Sequence, residues 1–276
     1  MRARGEDERS SSRAHFTEKN RREQTMPRSD GRGDTELRSV TIEPGWHKSS
    51  EGSVLYRAGN TVVLCTVSVE EGVRDFIKGQ NKGWVTAEYL MHPRAGGRRQ
   101  SRDGFNGRPL GGRTQEIARL IGRSLRAAVD LSALGERTFH VDCDVLEADG
   151  GTRTASITGS MVALMIAIDK LKKRGAITQA PIRGRVAAVS AGEAFGRAML
   201  DLAYDEDSRA DMDLNVVATD SGKIVEIQCT AETAPIDRKK VDALVDMALE
   251  GIIHLGRLQK EALAKVGVNV LDLMAR

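Results

Sequence analysis

The chain reads as an α+β protein. Strand-length and helix-length patterns are mixed along it, and tight turns join neighbouring strands as hairpins. One helical stretch, Ala155–Lys173, is apolar nearly all round until Lys170 and therefore belongs inside the fold. With 276 residues there is room for one large domain or two modest ones. Aromatic residues make up only 4 %, so the core must be largely aliphatic.

The elements follow in order. Residues 1–26 are rich in Arg, Glu and Ser, almost free of apolar residues and without period. They read as a disordered extension, or as a stretch upstream of a start at Met26. Ser53–Tyr56 and Thr61–Val69 read as strands joined by a turn at Ala58-Gly59-Asn60. Trp84–Tyr89 is a further strand. His92–Gly112 lacks an apolar period and reads as a long surface loop, a class that is usually functional or mobile. Thr114–Val129 places Ile117, Leu120, Ile121, Leu125 and Ala128 at helical spacing and leaves Arg119, Arg123 and Arg126 for solvent or a partner.

Arg137–Val145 alternates as a strand. The helix Ala155–Lys173 stops at Gly175, with Lys172, Lys173 and Arg174 suited to its C-terminal dipole. Ile182–Ser190, Ala198–Leu202, Met212–Thr219 and Ile224–Thr230 read as strands, the last two joined by Asp220-Ser221-Gly222. Arg238–Lys265 is a helix whose apolar face includes Leu244, Ala248 and Ile252. A division near Lys173–Pro181 separates an N-terminal domain, 27–175, from a smaller C-terminal one, 181–270.

The net charge is only +3, but it is unevenly spread. Arg94–Arg113 holds six arginines against one aspartate, a basic stripe on an otherwise mildly acidic body. Such a stripe suits either a solvated loop or contact with nucleic acid. Cys65, Cys143 and Cys229 lie far apart with no CxxC spacing, and read as reduced core residues of a cytoplasmic protein. No run approaches the ~20 apolar residues that span a bilayer, so no membrane partner is expected.

Two constellations carry chemistry. In EADGGTRTASITG (147–159), Gly150 and Gly151 permit a sharp turn with uncovered amides. Thr152, Thr154 and Ser156 add hydroxyls, and Arg153 adds a planar cation at the mouth of the apolar helix. Free amides and the helix dipole favour an anion there. Arg113, also at a helix entrance, is a candidate second arginine for the same anion. Glu147 and Asp149 read as shaping the turn.

In YDEDSRADMDLN (204–215), Asp211 and Asp213 share one strand face while Met212 and Leu214 point to the core. Asp207 and Asp213 are candidate ligands for a hard cation, Mg²⁺ or Mn²⁺. A Walker motif, HExxH and GxSxG are all absent, so nucleoside triphosphate hydrolysis, zinc-peptidase chemistry and covalent serine catalysis are not indicated. An anion site beside a cation site suggests phosphoryl chemistry.

Several of these stretches together carry a family resemblance: RSDGR (28–32), AGNTVVLCTVSVE (58–70), KGWVTAEY (82–89), GRTQEIARLIGRSLRAAVDL (112–131), VDCDVLEADGGTRTASITG (141–159), DLAYDEDSRADMDLNVV (201–217) and EIQCTAE (226–232). In this order, from about Met26 to the last helix, the chain resembles the ribonuclease PH family.

The resemblance implies a core domain like the second domain of ribosomal protein S5, followed by a smaller ribonuclease-PH-type α/β domain. It implies a phosphate-dependent 3′-to-5′ exoribonuclease, a tRNA nucleotidyltransferase by class, that trims precursor tRNA and other RNA 3′ ends and releases nucleoside diphosphates. It further implies inorganic phosphate as co-substrate and a homo-hexamer built as a trimer of dimers. Phosphate binding falls on Thr152, Arg153 and Ser156, with Arg113 as a second functional arginine. The catalytic and metal-holding carboxylates fall on Asp207 and Asp213, and RNA binding falls on Arg94, Arg98, Arg99 and Arg102. Cys229 stands where the family often has glycine, and Gly96 and Gly97 are additions to the arginine loop.

Overall fold

A computed structural model describes residues 28–105 and 107–275. The expected N-terminal extension lies outside the described residues. The first sheet comprises β1 (Val40–Pro44), β2 (Gly52–Ala58), β3 (Thr61–Glu71), β4 (Trp84–Met91) and β5 (Arg137–Glu147), in the order β1-β2-β3-β5-β4. β2 and β3 are joined by Gly59-Asn60, with Gly59 at φ +54°, the left-handed conformation that a tight hairpin turn demands. β4 instead runs parallel to β5, because the chain must cross over between them through helix α1 (Gly112–Ala128).

The second sheet holds β6 (Val186–Ala194), β7 (Arg197–Leu200), β8 (Ala210–Thr219) and β9 (Ile224–Ala231), ordered β7-β6-β8-β9 and antiparallel throughout. The remaining helices are α2 (Thr152–Lys173), the one-turn α3 (Tyr204–Asp207), α4 (Arg238–Lys265) and the short α5 (Val270–Leu273).

Helix α2 lies between the two sheets, which explains why its sequence is apolar on every side. Ile157, Met161, Leu164, Met165 and Ile168 are fully buried, in one cluster with Val54 and Val63 of the first sheet and Val186 and Ala188 of the second. Each such side chain contributes roughly 1.5–3 kcal/mol on burial. Contrary to the expectation that no run approaches a bilayer span, α2 among the described residues has the length and mean hydropathy of one; 94 % of that stretch is buried inside the protein. Its packing is close enough that a Cβ on Gly52 of β2 would fall 1.9 Å from the Ala163 carbonyl oxygen.

A second core forms on the far face of the second sheet. Met212, Leu214 and Val216 of β8 pack with Ala187, Val189 and Ala191 of β6 against Leu244, Ala248 and Ile252 of α4. Gln259 of α4, fully buried, donates to the carbonyls of Thr158 at 3.0 Å and Val186 at 2.9 Å and so ties three elements together.

Some expectations shift. β1 has no counterpart in the sequence reading, because a five-residue strand offers little period. β6 starts at Val186, and Ile182 instead makes isolated bridges to Val129 and Met274. α2 begins one turn early, at Thr152, because Gly151 takes the N-cap in the left-handed conformation at φ 63°. Cys65 and Cys143 are buried, but Cys229 is exposed on the edge strand β9 and is no core residue.

Candidate active site

The glycine turn before α2 is fixed from three sides. Gly150 and Gly151 both have positive φ, +75° and +63°. The Thr61 hydroxyl donates to the Gly150 carbonyl at 2.7 Å and accepts from the Asp149 amide at 3.0 Å. Arg38 Nη1 donates to the Asp149 carbonyl, while the same guanidinium holds Asp201. Asp149 Oδ1 accepts from the Tyr204 amide at 3.2 Å, so Asp149 does shape the turn and also connects it to α3. A Cβ on Gly150 would come within 2.5 Å of the Leu202 carbonyl oxygen. The two chemistry-bearing segments are therefore held backbone to backbone.

Between them opens a cleft of about 670 Å³. Gly151, Thr152 and Arg153 enter it from the start of α2, where first-turn amides have no intrahelical acceptor. Arg113 enters from the start of α1, Asp207 from the end of α3, and Asp213 from β8. Arg98 reaches it from the arginine loop. The structure thus brings together in one cavity residues separated by more than a hundred positions in sequence.

The charges in the cleft are coupled. Burial is the main cause raising the Asp213 carboxyl to about 6. The neighbouring Asp207 adds to that rise, and Arg153 and the Asn215 amide oppose it. Asp207 is raised too, mostly by desolvation, against the pull of Arg113 and Arg153. Asn215 Nδ2 donates to both oxygens of Asp213, at 3.3 and 3.2 Å. Thr152 Oγ1 shares a 2.8 Å hydrogen bond with the buried Tyr89 hydroxyl. Arg153 Nη1 donates to Gln228 Oε1 at 2.6 Å.

Not every expected residue is there. Thr154 and Ser156 are corrected: both side chains are buried away from the cleft. Their hydroxyls donate back along the helix to the carbonyls of Gly151 and Thr152, each at 2.8 Å. The reason is the start of α2 at Thr152: Ser156 lies one turn deeper on the same face, and Thr154 is turned round the helix from it. The arginine loop also divides. Arg94 lines an adjoining hollow with Asp149 and Asp205, while Arg99 and Arg102 line another with Phe105 and Arg108. Of the four loop arginines expected to bind RNA, Arg98 is the one in the main cleft.

The acidic stretch divides likewise. Glu206 is buried against Arg28, which donates to it at 2.6 and 2.7 Å, and Asp211 accepts from the Thr233 hydroxyl.

Asn215, Ser190 and Tyr204 line the cleft without having been singled out. Asn215 was within reach, two residues beyond Asp213 on the same strand face. Ser190 and Gln228 carried no local signal, since only strand pairing sets them opposite Asn215.

Comparison with known proteins places this geometry. Residues 36–168 match the model of the 3′ exoribonuclease family, domain 1, and residues 184–251 match domain 2 of the same family. Among solved structures, rice (Oryza sativa) Rrp46 superimposes with a TM-score of 0.69 at 18 % identity, over 86 % of this chain and 100 % of that one. A chain of the Archaeoglobus fulgidus exosome with RNA bound to the active site gives 0.70 at 25 % identity, over 84 % and 92 %. An archaeal exosome core chain gives 0.66 at 22 %, over 91 % and 97 %. The two-domain α+β fold is of the ribonuclease PH type, and the chain belongs to the 3′ exoribonuclease family to which ribonuclease PH gives its name.

Proposed function

We propose that this protein is a phosphorolytic 3′-to-5′ exoribonuclease that shortens precursor tRNA and other RNA from the 3′ end and releases nucleoside diphosphates. The observation that carries the reading is the single cleft shared by Arg113, Arg153, Thr152, Asp207 and Asp213. A hydrolase shares the carboxylates and can use an arginine on the scissile phosphodiester, but it needs no second anion pocket for inorganic phosphate.

The residues fit a divalent cation of the Mg²⁺ type. Asp207 and Asp213 face one cleft, and among the described residues no third His, Cys, Asp or Glu joins them to close a cage. Mg²⁺ characteristically uses one or two carboxylates and fills its remaining positions with water and substrate phosphates. Bound by Asp207 and Asp213, it would supply charge compensation between two approaching anions; Mn²⁺ fits the same oxygen donors.

In the proposed reaction Arg153, Thr152 and the first-turn amides of α2 hold inorganic phosphate beside the last internucleotide bond. Arg113 holds the phosphate or the terminal phosphodiester. A phosphate oxygen forms a bond to the terminal phosphorus, the bond from that phosphorus to the 3′ oxygen of the penultimate residue breaks, and that oxygen takes up a proton. Asp213 gives that proton when it acts as general acid instead of holding the cation. Catalysis is positioning and electrostatics, with no covalent enzyme intermediate. Arg94, Arg98, Arg99 and Arg102 hold the preceding backbone without reading bases. A homo-hexamer, as a trimer of dimers, in the cytoplasm is the assembly proposed; the likeness to exosome chains supports its ring-like form.

The test is incubation of the protein and Mg²⁺ with a 3′-tailed labelled RNA, with and without phosphate. Diphosphates that appear only with phosphate are expected. Monophosphates formed without phosphate would identify a hydrolase, and bound but intact RNA a non-catalytic subunit.

A further inference from the structure

Two neutral amides stand side by side at the charged cleft, Asn215 in its lining and Gln228 bonded to Arg153 of that lining. β8 and β9 pair with Asn215 opposite Gln228, so both side chains share the face that also presents Asp213. Asn215 holds the carboxylate of Asp213 through its Nδ2. Gln228 holds the opposite charge: its Oε1 accepts from Arg153 Nη1 at 2.6 Å. The other end of the Gln228 amide is also committed. Nε2 donates to Glu116 Oε1 at 3.0 Å and to Glu226 Oε1 at 3.2 Å, and Glu226 is itself bound by Arg123 at 2.7 Å. These partners fix the orientation of the amide, because a flip would set NH₂ against the guanidinium and oxygen against two carboxylates.

The choice of an amide has a consequence for charge. A guanidinium clamped by a carboxylate is largely neutralised, and an incoming anion must displace that carboxylate. Glu116 forms an ion pair with Arg153 Nη1, but at 3.6 Å it makes no hydrogen bond to it, and the same oxygen takes the Gln228 NH₂ at 3.0 Å. Among the described residues no other hydrogen bond engages the Arg153 guanidinium, and Arg153 lines the cleft.

We infer that Gln228 is a positioning residue for Arg153: it anchors the guanidinium by one nitrogen with an uncharged acceptor and keeps Glu116 from closing on it, so that the charge and remaining donors of Arg153 stay available to an oxyanion. This rests on the proposed phosphorolysis and specifies which part of the site sets affinity for phosphate.

The experiment is steady-state phosphorolysis by Gln228→Glu, Gln228→Met and the unaltered protein, varying phosphate at fixed RNA and then RNA at fixed phosphate. Thermal melts with and without inorganic phosphate provide a readout independent of turnover. Gln228→Glu should raise the KM for phosphate about tenfold or more, with kcat at saturating phosphate and KM for RNA changed by less than about threefold. Gln228→Met, which loses the anchor without adding charge, should fall between the two. Phosphate should raise the melting temperature of the unaltered protein more than that of Gln228→Glu. A Gln228→Glu variant with unchanged KM for phosphate, or one in which both KM values rise together, would overturn the inference while leaving phosphorolysis standing. An unaltered protein that makes no diphosphates would overturn the parent reading, and this one with it.

Discussion

The guanidinium of Arg38 reaches both carboxylate oxygens of Asp201, at 3.0 and 2.7 Å, with both side chains almost completely buried. The same guanidinium contacts the Asp149 carbonyl in the glycine turn. The pair therefore links the segment that leads to Asp207 with the segment that leads to Arg153. Burial works to raise the Asp201 carboxyl, but the hydrogen bonds and charge of Arg38 outweigh it and hold the group below its ordinary value.

Replacing Arg38 by Met removes the two-point clamp from the buried Asp201 and leaves it only the backbone amide of residue 38 at 2.8 Å and the Arg32 guanidinium at 3.6 Å. The expected loss is about 3–5 kcal/mol, read as a lower urea midpoint. The sign with pH follows from the lowered Asp201 carboxyl. Its contribution is fully present above the unfolded value near ~3.9 and is lost as pH falls through the still lower folded value. The unaltered protein should lose stability steeply below about pH 4, and Arg38→Met should show a shallower acid dependence.

Asp213 has the opposite linkage. Its folded value is raised to about 6, so its contribution to stability is present below the unfolded value and is lost as pH rises through 6. Without a divalent cation, Asp213→Asn should therefore gain on the order of 1–2 kcal/mol at pH 8 and gain nothing at about pH 4; with Mg²⁺ it should lose turnover by roughly a hundredfold or more. Melting curves at the two pH values, with turnover measured alongside, check all three.

The arginines should separate by task. Arg153→Ala is expected to abolish diphosphate release while leaving RNA binding largely intact, as measured by filter binding. Replacing Arg99 and Arg102 together should weaken RNA binding across sequences and flatten its salt dependence by roughly 0.7 in log–log slope for each RNA phosphate that is no longer neutralised. Equal loss of RNA binding in Arg153→Ala would overturn the division.

Gly150→Ala tests the close approach of the two segments. The new methyl meets the Leu202 carbonyl oxygen at 2.5 Å and sits on a residue with φ +75°. Both effects push the α3 segment away, so the variant should lose activity by about tenfold or more even where a folded core persists in circular dichroism.

Much of the framework is legible in the sequence. The Gly59-Asn60 turn, the α4 helix from Arg238 to Lys265 and the inward Met212 and Leu214 follow from turn chemistry and from periods of two and 3.6, which are local. The short strand β1 and the one-turn helix α3 do not, because neither is long enough to show a period. In the site, Asp213 and Arg153 are visible by residue type and position. Thr154 and Ser156 look equivalent to Thr152 in sequence, yet with the helix starting at Thr152 one is turned round the helix and the other lies a turn deeper, so both are buried.

The sequence by itself determined the α+β class, the glycine–arginine turn at the head of an apolar helix, the acidic strand and the basic stripe, since each is set by neighbours within a few residues. Only the tertiary structure decided that Arg113, Arg153, Asp207 and Asp213 face one cleft, that Arg98 alone of the expected loop arginines reaches it, and that Gln228 is hydrogen-bonded to both Arg153 and Glu116. The reason is physical. Those relations depend on sheet register, on the buried Arg38–Asp201 pair and on the sandwiching of α2, all of which join segments remote along the chain.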